Sequence, residues 1–341
     1  MSTSPPISKR KYEEEEEEAE DSTVTPNFFA IADLILPWLT PQELSSISCT
    51  CRTLSLLSKR IATLRSSDAS RSFEPLPIPF INPLQFHPHP YAFFLYTPTY
   101  LLPSSDFLRQ FWGSASLSNP NPQFNFSNYF ALGGRGCCCT DKCNEDCSCS
   151  VLRGSEVVTE CGIGCKCEAS CGNRVSQKGV SVRLKIVRVQ NKGWGLFAAQ
   201  FIPQGSFICE YAGELLNTEE ARRRQQVYDK LARDSRFSSA LLVVREYLPS
   251  RKACFRINID STRIGNIARF INHSCDGGNL STVLVRSSGV PLPRVCFFSS
   301  RDILAGDELS FSYGDVRLKP EGLRCFCGSS SCYGILPSED T

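Results

Sequence analysis

Ten of the 19 cysteines lie within 35 residues, between Cys137 and Cys171. They are spaced as C-C-C-x3-C-x3-C-x-C, then an eleven-residue spacer, then C-x3-C-x-C-x3-C. Thiolates at this density bind zinc, whereas disulfide bonds would require an oxidising compartment. The N-terminus lacks the apolar core of a signal peptide that would direct the chain to such a compartment. The spacing therefore predicts a zinc cluster.

The number of cysteines predicts how the metal is shared. A tetrahedral zinc ion takes four sulfur ligands at about 2.3 Å, so nine thiolates serve three ions if three sulfurs bridge. Cys138 is set aside because adjacent residues rarely both reach one metal, although it could replace a neighbour as ligand. No ligand is left over for an open coordination position, so the cluster is predicted to be structural. The nine predicted ligands are Cys137, Cys139, Cys143, Cys147, Cys149, Cys161, Cys165, Cys167 and Cys171.

Length and composition predict a soluble protein of two or three domains. The chain has 341 residues, of which 41% are hydrophobic, and its net charge is +2. The most apolar early stretch, residues 28–39, is interrupted by Asp33 and Pro37 and is too short to span a membrane. Residues 137–341 carry 27 basic and 22 acidic side chains, which suits a basic-tail or nucleosome-type partner only weakly. Nothing in the sequence indicates sequence-specific DNA binding.

The N-terminus combines an acidic segment with a helical one. Residues 1–25 are acidic and of low complexity, so they bury too little apolar surface to fold and are predicted to be disordered. Residues 26–70 are predicted to be helical. Thr40, Pro41 and Glu43 have the types and spacing of a helix N-cap, a first helical position and a capping box.

The helical segment has one apolar face. Leu44, Ile47, Cys51 and Leu54 recur at helical spacing. Cys49 and Cys51 are predicted to be core cysteines, because no second pair lies near them to complete a metal site. The order of the helices is similar to an F-box, the motif that binds a Skp-type adaptor of ubiquitin ligases. An ordinary helical hairpin is the alternative.

The remainder changes from irregular to β-type. Residues 71–132 are rich in proline and aromatic residues and predict an irregular connector that packs aromatic rings onto a neighbour. From Val180 onward, short β-type runs are separated by turn residues. One helix interrupts them, from Thr218 to Arg233, with Asn217 as its N-cap. A compact, mainly β domain is therefore predicted.

Five short motifs follow one another in this β-type region: KGWGLFA at 192–198, EYAGE at 210–214, RFINHSC at 269–275, ELSFSYG at 308–314 and CFCGSSSC at 325–332. Together they resemble the SET domain of protein lysine methyltransferases. One motif alone would carry little weight, but all five in order behind the cysteine cluster are specific. The cysteine spacings are similar to those of the Suppressor-of-variegation subgroup, and residues 249–280 are similar to its plant Suppressor-of-variegation-related members.

The resemblance implies a fold and a domain plan. The fold would be mainly β with short helices, a SET-domain β-clip with a knot, preceded by the small α-helical N-terminal unit. A zinc-clustered pre-SET region would span 133–179, the SET catalytic domain 180–314 and a post-SET zinc tail 321–337. Three zinc ions would lie in the pre-SET region and one in the post-SET region. The ligands implied for the fourth ion are Cys275, Cys325, Cys327 and Cys332.

The resemblance also implies a cofactor, S-adenosyl-L-methionine, and the residues that bind it. The glycines of the G-W-G turn let main-chain groups approach a cofactor closely. The aromatic residue that family members often carry before F-R-I-N-I-D is absent here, since residues 240–244 are aliphatic. The implied cofactor residues are Lys192, Gly193, Trp194, Gly195, Phe270, Asn272, His273 and Tyr313.

Tyr211, Phe311 and Tyr313 are implied as catalytic residues that line an aromatic channel for the substrate lysine. A lysine amine has a pKa of about 10.4 and must lose its proton before it attacks a methyl group. Desolvation in the channel and the positive sulfur of the cofactor both disfavour the ammonium form. The Tyr313 hydroxyl would orient the amine, and most of the rate would come from positioning.

The function implied is methyl transfer to a lysine of a histone tail, with lysine 9 of histone H3 as the expected site, in the nucleus and on chromatin. The expected partner is the histone H3 tail or the nucleosome, and a Skp-type adaptor could bind the N-terminal helices. The alternatives are an F-box adaptor whose SET domain binds a client, a methyltransferase of a non-histone protein, and a catalytically silent scaffold.

Overall fold

The computed structural model describes residues 26–84, 90–102, 136–144, 147, 149, 157–234, 237–247, 254–288, 290, 292–314 and 322–337. The predicted disordered tail lies outside these residues, as does most of the predicted connector beyond residue 102. Within the described part of the chain, no helix is both long enough and apolar enough to cross a membrane.

Three helices form the N-terminal unit: α1 at Pro26–Ile35, α2 at Pro41–Ser48 and α3 at Arg52–Ser67, with a 3-10 turn at Leu36–Trp38. Thr40 begins α2 through the predicted capping box. Its hydroxyl accepts a hydrogen bond from the Glu43 N–H at 3.3 Å, and the Glu43 carboxylate accepts one from the Thr40 N–H at 2.7 Å. The small core of this unit consists of Ala32, Leu36, Leu44 and Ile61.

The prediction that Cys49 and Cys51 are core cysteines is wrong, because both side chains are exposed. The helical spacing does not run through this stretch, since α2 ends at Ser48 and α3 begins at Arg52. Cys51 instead occupies the N-cap of α3, where its sulfur accepts a hydrogen bond from the Leu54 N–H at 3.5 Å.

The rest of the described fold contains thirteen strands, one α-helix and two 3-10 turns. The strands form a three-stranded sheet in the order β1-β4-β5, a four-stranded sheet β3-β11-β12-β6, a sheet β2-β9-β7 in which β8 also pairs with β9, and the pair β10-β13. The strands are β1 Phe80–Ile81, β2 Leu95–Tyr96, β3 Val157–Glu160, β4 Leu184–Val189, β5 Gly193–Ala198, β6 Phe207–Glu210, β7 Gly213–Leu216, β8 Leu241–Tyr247, β9 Cys254–Gly265, β10 Asn272–His273, β11 Leu280–Ser287, β12 Arg294–Ser299 and β13 Ser310–Phe311.

The connector is less irregular than its composition predicts. Its strands β1 and β2 pair in parallel with β4 and β9. Phe80 and Phe94 are buried, and their ring centroids lie 5.7 and 5.6 Å from that of Phe270. The expected packing of aromatic rings onto a neighbour is therefore present. Strands of two residues are too short to show a period of two, so the sequence pattern missed them.

The predicted helix of the second half is α4, at Thr218–Asp234. Its N-cap is Asn217, whose side-chain oxygen accepts a hydrogen bond from the Glu220 N–H at 2.8 Å. Arg224 on this helix lies 2.7 Å from a carboxylate oxygen of Glu214 and 2.7 Å from one of Asp260. These two ion pairs attach α4 to the adjacent sheet.

The short parallel pair β10-β13 brings two of the sequence motifs together. Asn272 pairs with Ser310, and His273 pairs with Phe311. Gly278 also approaches β13 closely, since its φ is +74° and a β-carbon there would lie 2.3 Å from the Ser310 carbonyl oxygen. The segment around residue 272 is thereby held directly beside the segment that ends in Tyr313.

Candidate functional site

The sulfurs of the first cysteine cluster form three overlapping groups of four, and within each group all sulfurs lie within 4.8 Å of one another. Cys137 belongs to all three groups, and Cys143 and Cys161 each belong to two. The Cys143 sulfur is 3.5 Å from that of Cys137 and 3.4 Å from that of Cys161. Three bridging sulfurs would each belong to two groups, a role that Cys143 and Cys161 fit, whereas Cys137 lies close to the members of all three groups.

The remaining predicted ligands surround these three. Cys171, which is fully buried, lies outside the groups of four, and its sulfur accepts a hydrogen bond from the Cys143 N–H at 3.4 Å. Cys138 is exposed and belongs to none of the groups. Burial raises the pKa of the Cys161 thiol to about 12.

A second cysteine cluster joins distant parts of the chain. The sulfurs of Cys275, Cys325, Cys327 and Cys332 lie within 4.8 Å of one another, which fits the donor set of one tetrahedral zinc ion. The Cys275 sulfur is also 3.3 Å from Nε2 of His273. The C-terminal tail is thus held against the strand pair β10-β13.

The polar residues predicted to bind the cofactor converge on Glu308, which the sequence analysis did not single out. One carboxylate oxygen of Glu308 lies 2.7 Å from Nζ of Lys192, and the other accepts a hydrogen bond from Nδ2 of Asn272 at 2.7 Å. Gly195 leaves room for this contact, because a β-carbon there would lie 2.9 Å from the Glu308 carboxylate. Glu308 is the first residue of the ELSFSYG motif, and this place in a motif is the sequence feature that could have marked it as a site residue.

The aromatic residues of the prediction form one group with Phe297, which sequence reasoning missed. The ring centroid of Phe311 lies 5.0 Å from that of Tyr313 and 4.6 Å from that of Phe297. The Tyr211 ring is 6.3 Å from Phe297. Phe297 lies on β12, whose apolar sequence predicts only a buried strand. No sequence feature therefore marked Phe297 as a site residue.

Both tyrosine hydroxyls of this group are held by main-chain carbonyls. Tyr211 donates a hydrogen bond to the carbonyl of Ala240 at 2.8 Å, and Tyr313 donates one to the carbonyl of Ile271 at 2.8 Å. Burial raises the pKa of both phenols above the usual value near 10. Both side chains are therefore neutral hydrogen-bond donors at physiological pH.

The other predicted cofactor residues lie around this group. Nδ1 of His273 accepts a hydrogen bond from the Tyr313 N–H at 3.1 Å, and burial lowers the pKa of this imidazole. The Trp194 ring packs edge-on against Phe80 at 5.2 Å. The Phe270 ring lies in the aromatic core.

The polar residues offer both acceptors and donors to a ligand. The Glu308 carboxylate can accept hydrogen bonds from an ammonium group, and Lys192 and Asn272 can donate to a carboxylate. The aromatic group is largely buried, and its hydrogen-bonded polar atoms are two hydroxyls and two carbonyl oxygens. Such a site favours a neutral amine over a charged one.

Comparison with known proteins matches the same region. The family model described as the SET domain matches residues 193–314. The chain is 54% identical over 330 residues to histone-lysine N-methyltransferase SUVR3 of Arabidopsis thaliana, a match that covers 92% of each chain.

Two solved structures are similar along most of the described fold. Arabidopsis thaliana SUVH6 in complex with S-adenosylmethionine is 28% identical, with a TM-score of 0.61, and the match covers 80% of this chain and 55% of that one. KRYPTONITE in complex with DNA, a peptide of histone H3 residues 1–15 and S-adenosylhomocysteine is 26% identical, with a TM-score of 0.57, over 79% of this chain and 53% of that one.

Proposed function

The chain belongs to the SET-domain histone-lysine N-methyltransferases, and we propose that it transfers methyl groups from S-adenosylmethionine to lysine 9 of histone H3, on chromatin in the nucleus. One observation carries the proposal. The parallel pair β10-β13 places the residues suited to the cofactor directly beside the aromatic group suited to a lysine side chain. The mainly β fold with two cysteine clusters is that of the family.

The cofactor, when bound, supplies an electrophilic methyl group on a positively charged sulfur. The chain's own residues fit its polar end. Glu308 suits an ammonium group, and Lys192 and Asn272, which Glu308 holds in place, suit a carboxylate. The complex of SUVH6 with S-adenosylmethionine supports this use of the site.

The aromatic group would receive the substrate lysine. Tyr211, Phe311 and Tyr313 provide apolar surface that disfavours the ammonium form, so the amine enters the reaction neutral. The Tyr313 hydroxyl and the carbonyl of Ile271, which are joined by a hydrogen bond of 2.8 Å, would orient the amine and the methyl group through one hydrogen bond and weak C–H···O contacts. No strong base is needed, because alignment supplies most of the rate.

The two cysteine clusters support a count of four zinc ions. Three sulfurs shared among the groups of the first cluster suit three ions, and the second cluster suits one. The first cluster holds together a segment with few apolar residues. The second holds the C-terminal tail next to His273 and the candidate cofactor site.

The proposal that histone H3 is the substrate is supported by the similar proteins. KRYPTONITE was solved with residues 1–15 of histone H3, a segment that contains lysine 9. A peptide of that length, with lysines 4, 9 and 14 replaced by arginine one at a time, tests the site of transfer. Loss of transfer only in the peptide without lysine 9 is expected, whereas equal transfer to all three variants would overturn this assignment.

The alternative that the N-terminal helices form an F-box that binds a Skp-type adaptor receives no support from the relatives. The helices of the N-terminal unit form, but the match to the Arabidopsis methyltransferase covers 92% of the chain and so extends into them. That unit therefore also occurs in a relative named as a methyltransferase.

Phe311 is expected to permit products beyond monomethyl-lysine. A tyrosine at this position could hold an ordered water in the space that a second methyl group needs, whereas phenylalanine cannot hydrogen-bond that water, which is displaced at lower cost. Phe311→Tyr should therefore shift the products toward monomethyl-lysine while the first transfer is largely retained. Mass spectrometry of a peptide reacted to completion measures this. A wild-type product that stops at one methyl group, unchanged in the variant, would refute it.

Glu308→Gln is expected to weaken the binding of S-adenosylmethionine about tenfold, because the residues that flank the cofactor's polar end lose a charged partner. Calorimetric titration of the purified protein with the cofactor measures the affinity. Asp307→Asn is the matched control, since Asp307 is exposed and its carboxylate accepts a hydrogen bond from the Leu304 N–H within a turn. Equal affinities of Glu308→Gln and the wild type would remove Glu308 from the site.

A further inference from the structure

The hydroxyl of Tyr211 depends on a residue that has no functional side chain. It donates to the carbonyl of Ala240, and the same carbonyl accepts a second hydrogen bond from the Ser261 N–H at 2.9 Å. Ala240 directly precedes β8. Whatever fixes the main chain of Ala240 therefore fixes the position of the Tyr211 hydroxyl.

The main chain of Ala240 is held by a threonine side chain from the neighbouring strand. The Ala240 N–H donates to the hydroxyl oxygen of Thr262 at 2.9 Å. Thr262 lies in β9 and is 9% exposed, so this hydrogen bond is shielded from water. Both main-chain polar groups of Ala240 are thus held by β9, its N–H by a side chain and its carbonyl by the main chain.

Thr262 is itself held by a buried carboxylate. Its N–H donates to one oxygen of Asp260 at 2.9 Å, and Asp260 is fully buried. The other oxygen of Asp260 accepts hydrogen bonds from Arg224 and from the Tyr228 hydroxyl, each at 2.7 Å. Helix α4 and strand β9 therefore clamp the segment that the Tyr211 hydroxyl contacts.

We propose that Thr262 is a positioning residue of the lysine channel, which sets the position of the Tyr211 hydroxyl through the main chain of Ala240. This inference rests on the proposed function, because it assigns a role in a channel that the function requires. In this role Thr262 acts by holding the main chain of Ala240 and not by contact with the substrate. The methyl side chain of Ala240 cannot form a hydrogen bond that would hold this segment.

Thr262→Val tests the proposal, because valine has nearly the same shape but cannot accept the Ala240 N–H. With the full chain, S-adenosylmethionine and the H3 peptide of residues 1–15, kcat is expected to fall on the order of tenfold while the KM for the cofactor stays within about twofold. Thr262→Ser, which keeps the hydroxyl, should restore kcat. The exposed strand residue Thr282 provides the control, Thr282→Val.

A double-mutant cycle separates positioning from a loss of stability. In a Tyr211→Phe background the hydroxyl is absent, so Thr262→Val should have no further effect on kcat. An unchanged kcat in Thr262→Val, or the same tenfold loss with and without the Tyr211 hydroxyl, would overturn the proposal. Thr262→Ala enters the same cycle if the valine variant does not fold. Absence of methyl transfer by the wild type would instead refute the proposed function.

Discussion

Tyr313→Phe is expected to lower the turnover number about a hundredfold or more while the fold and the zinc content stay intact. The substitution removes only the hydroxyl, which donates to the carbonyl of Ile271 at 2.8 Å. The phenylalanine ring would keep its contacts with Phe311 and His273, whose ring centroids lie 5.0 and 5.2 Å away. The loss should appear in kcat, because a contact that orients the transition state is removed while packing in the ground state persists.

The measurement is the steady-state rate of methyl transfer to an H3 peptide, together with circular dichroism and elemental analysis of the same sample. Tyr91→Phe is the matched control. That tyrosine also loses a hydroxyl contact, with Arg65 at 3.3 Å, but it lies next to the N-terminal unit. Turnover equal to that of the wild type in Tyr313→Phe would assign the orienting role to another residue.

Cys143→Ser is expected to release zinc and to unfold the first cysteine cluster, whereas Cys138→Ser should have no measurable effect. Cys143 belongs to two of the overlapping groups of four sulfurs, so its loss would remove a ligand from two ions at once. Cys138 is exposed and belongs to none of them. Metal affinity contributes directly to folding in such clusters, so the loss of zinc should destabilise the whole segment.

Elemental analysis and thermal unfolding measure both effects. The wild type and Cys138→Ser should contain about four zinc ions per chain, and Cys143→Ser about one to three fewer. The second cluster is separate, so its ion should remain in Cys143→Ser. One zinc ion or fewer in active wild-type protein, or equal loss in both variants, would contradict the shared-sulfur arrangement.

Sequence reasoning named those residues of the candidate site that belong to short local motifs. The cysteine spacings and the five motifs can be read directly from the sequence. The nine-cysteine cluster, the tyrosines and Asn272 could therefore be named before the fold was known. Helix α4 was predicted within one residue of its C-terminal end, because its N-cap, Asn217, is a local signal.

What the sequence did not reveal depends on contacts between distant residues. Phe297 is an ordinary apolar residue of a strand, and it joins the aromatic group only because β12 packs against that group. Thr262 lies in none of the five motifs, and its proposed role depends on its hydrogen bond with Ala240, which precedes the neighbouring strand. The prediction that Cys49 and Cys51 are core cysteines failed for a local reason. Their spacing fits one continuous helix, but the chain forms two helices, and both cysteines lie between the end of α2 at Ser48 and the start of α3 at Arg52.

The most direct test of the central claim is mass spectrometry of recombinant nucleosomes after incubation with the purified full chain and S-adenosylmethionine. Methyl groups on lysine 9 of histone H3, which require the cofactor and are lost in Tyr313→Phe, are the predicted result. Folded, zinc-loaded protein that transfers no methyl group to any histone lysine would contradict the account.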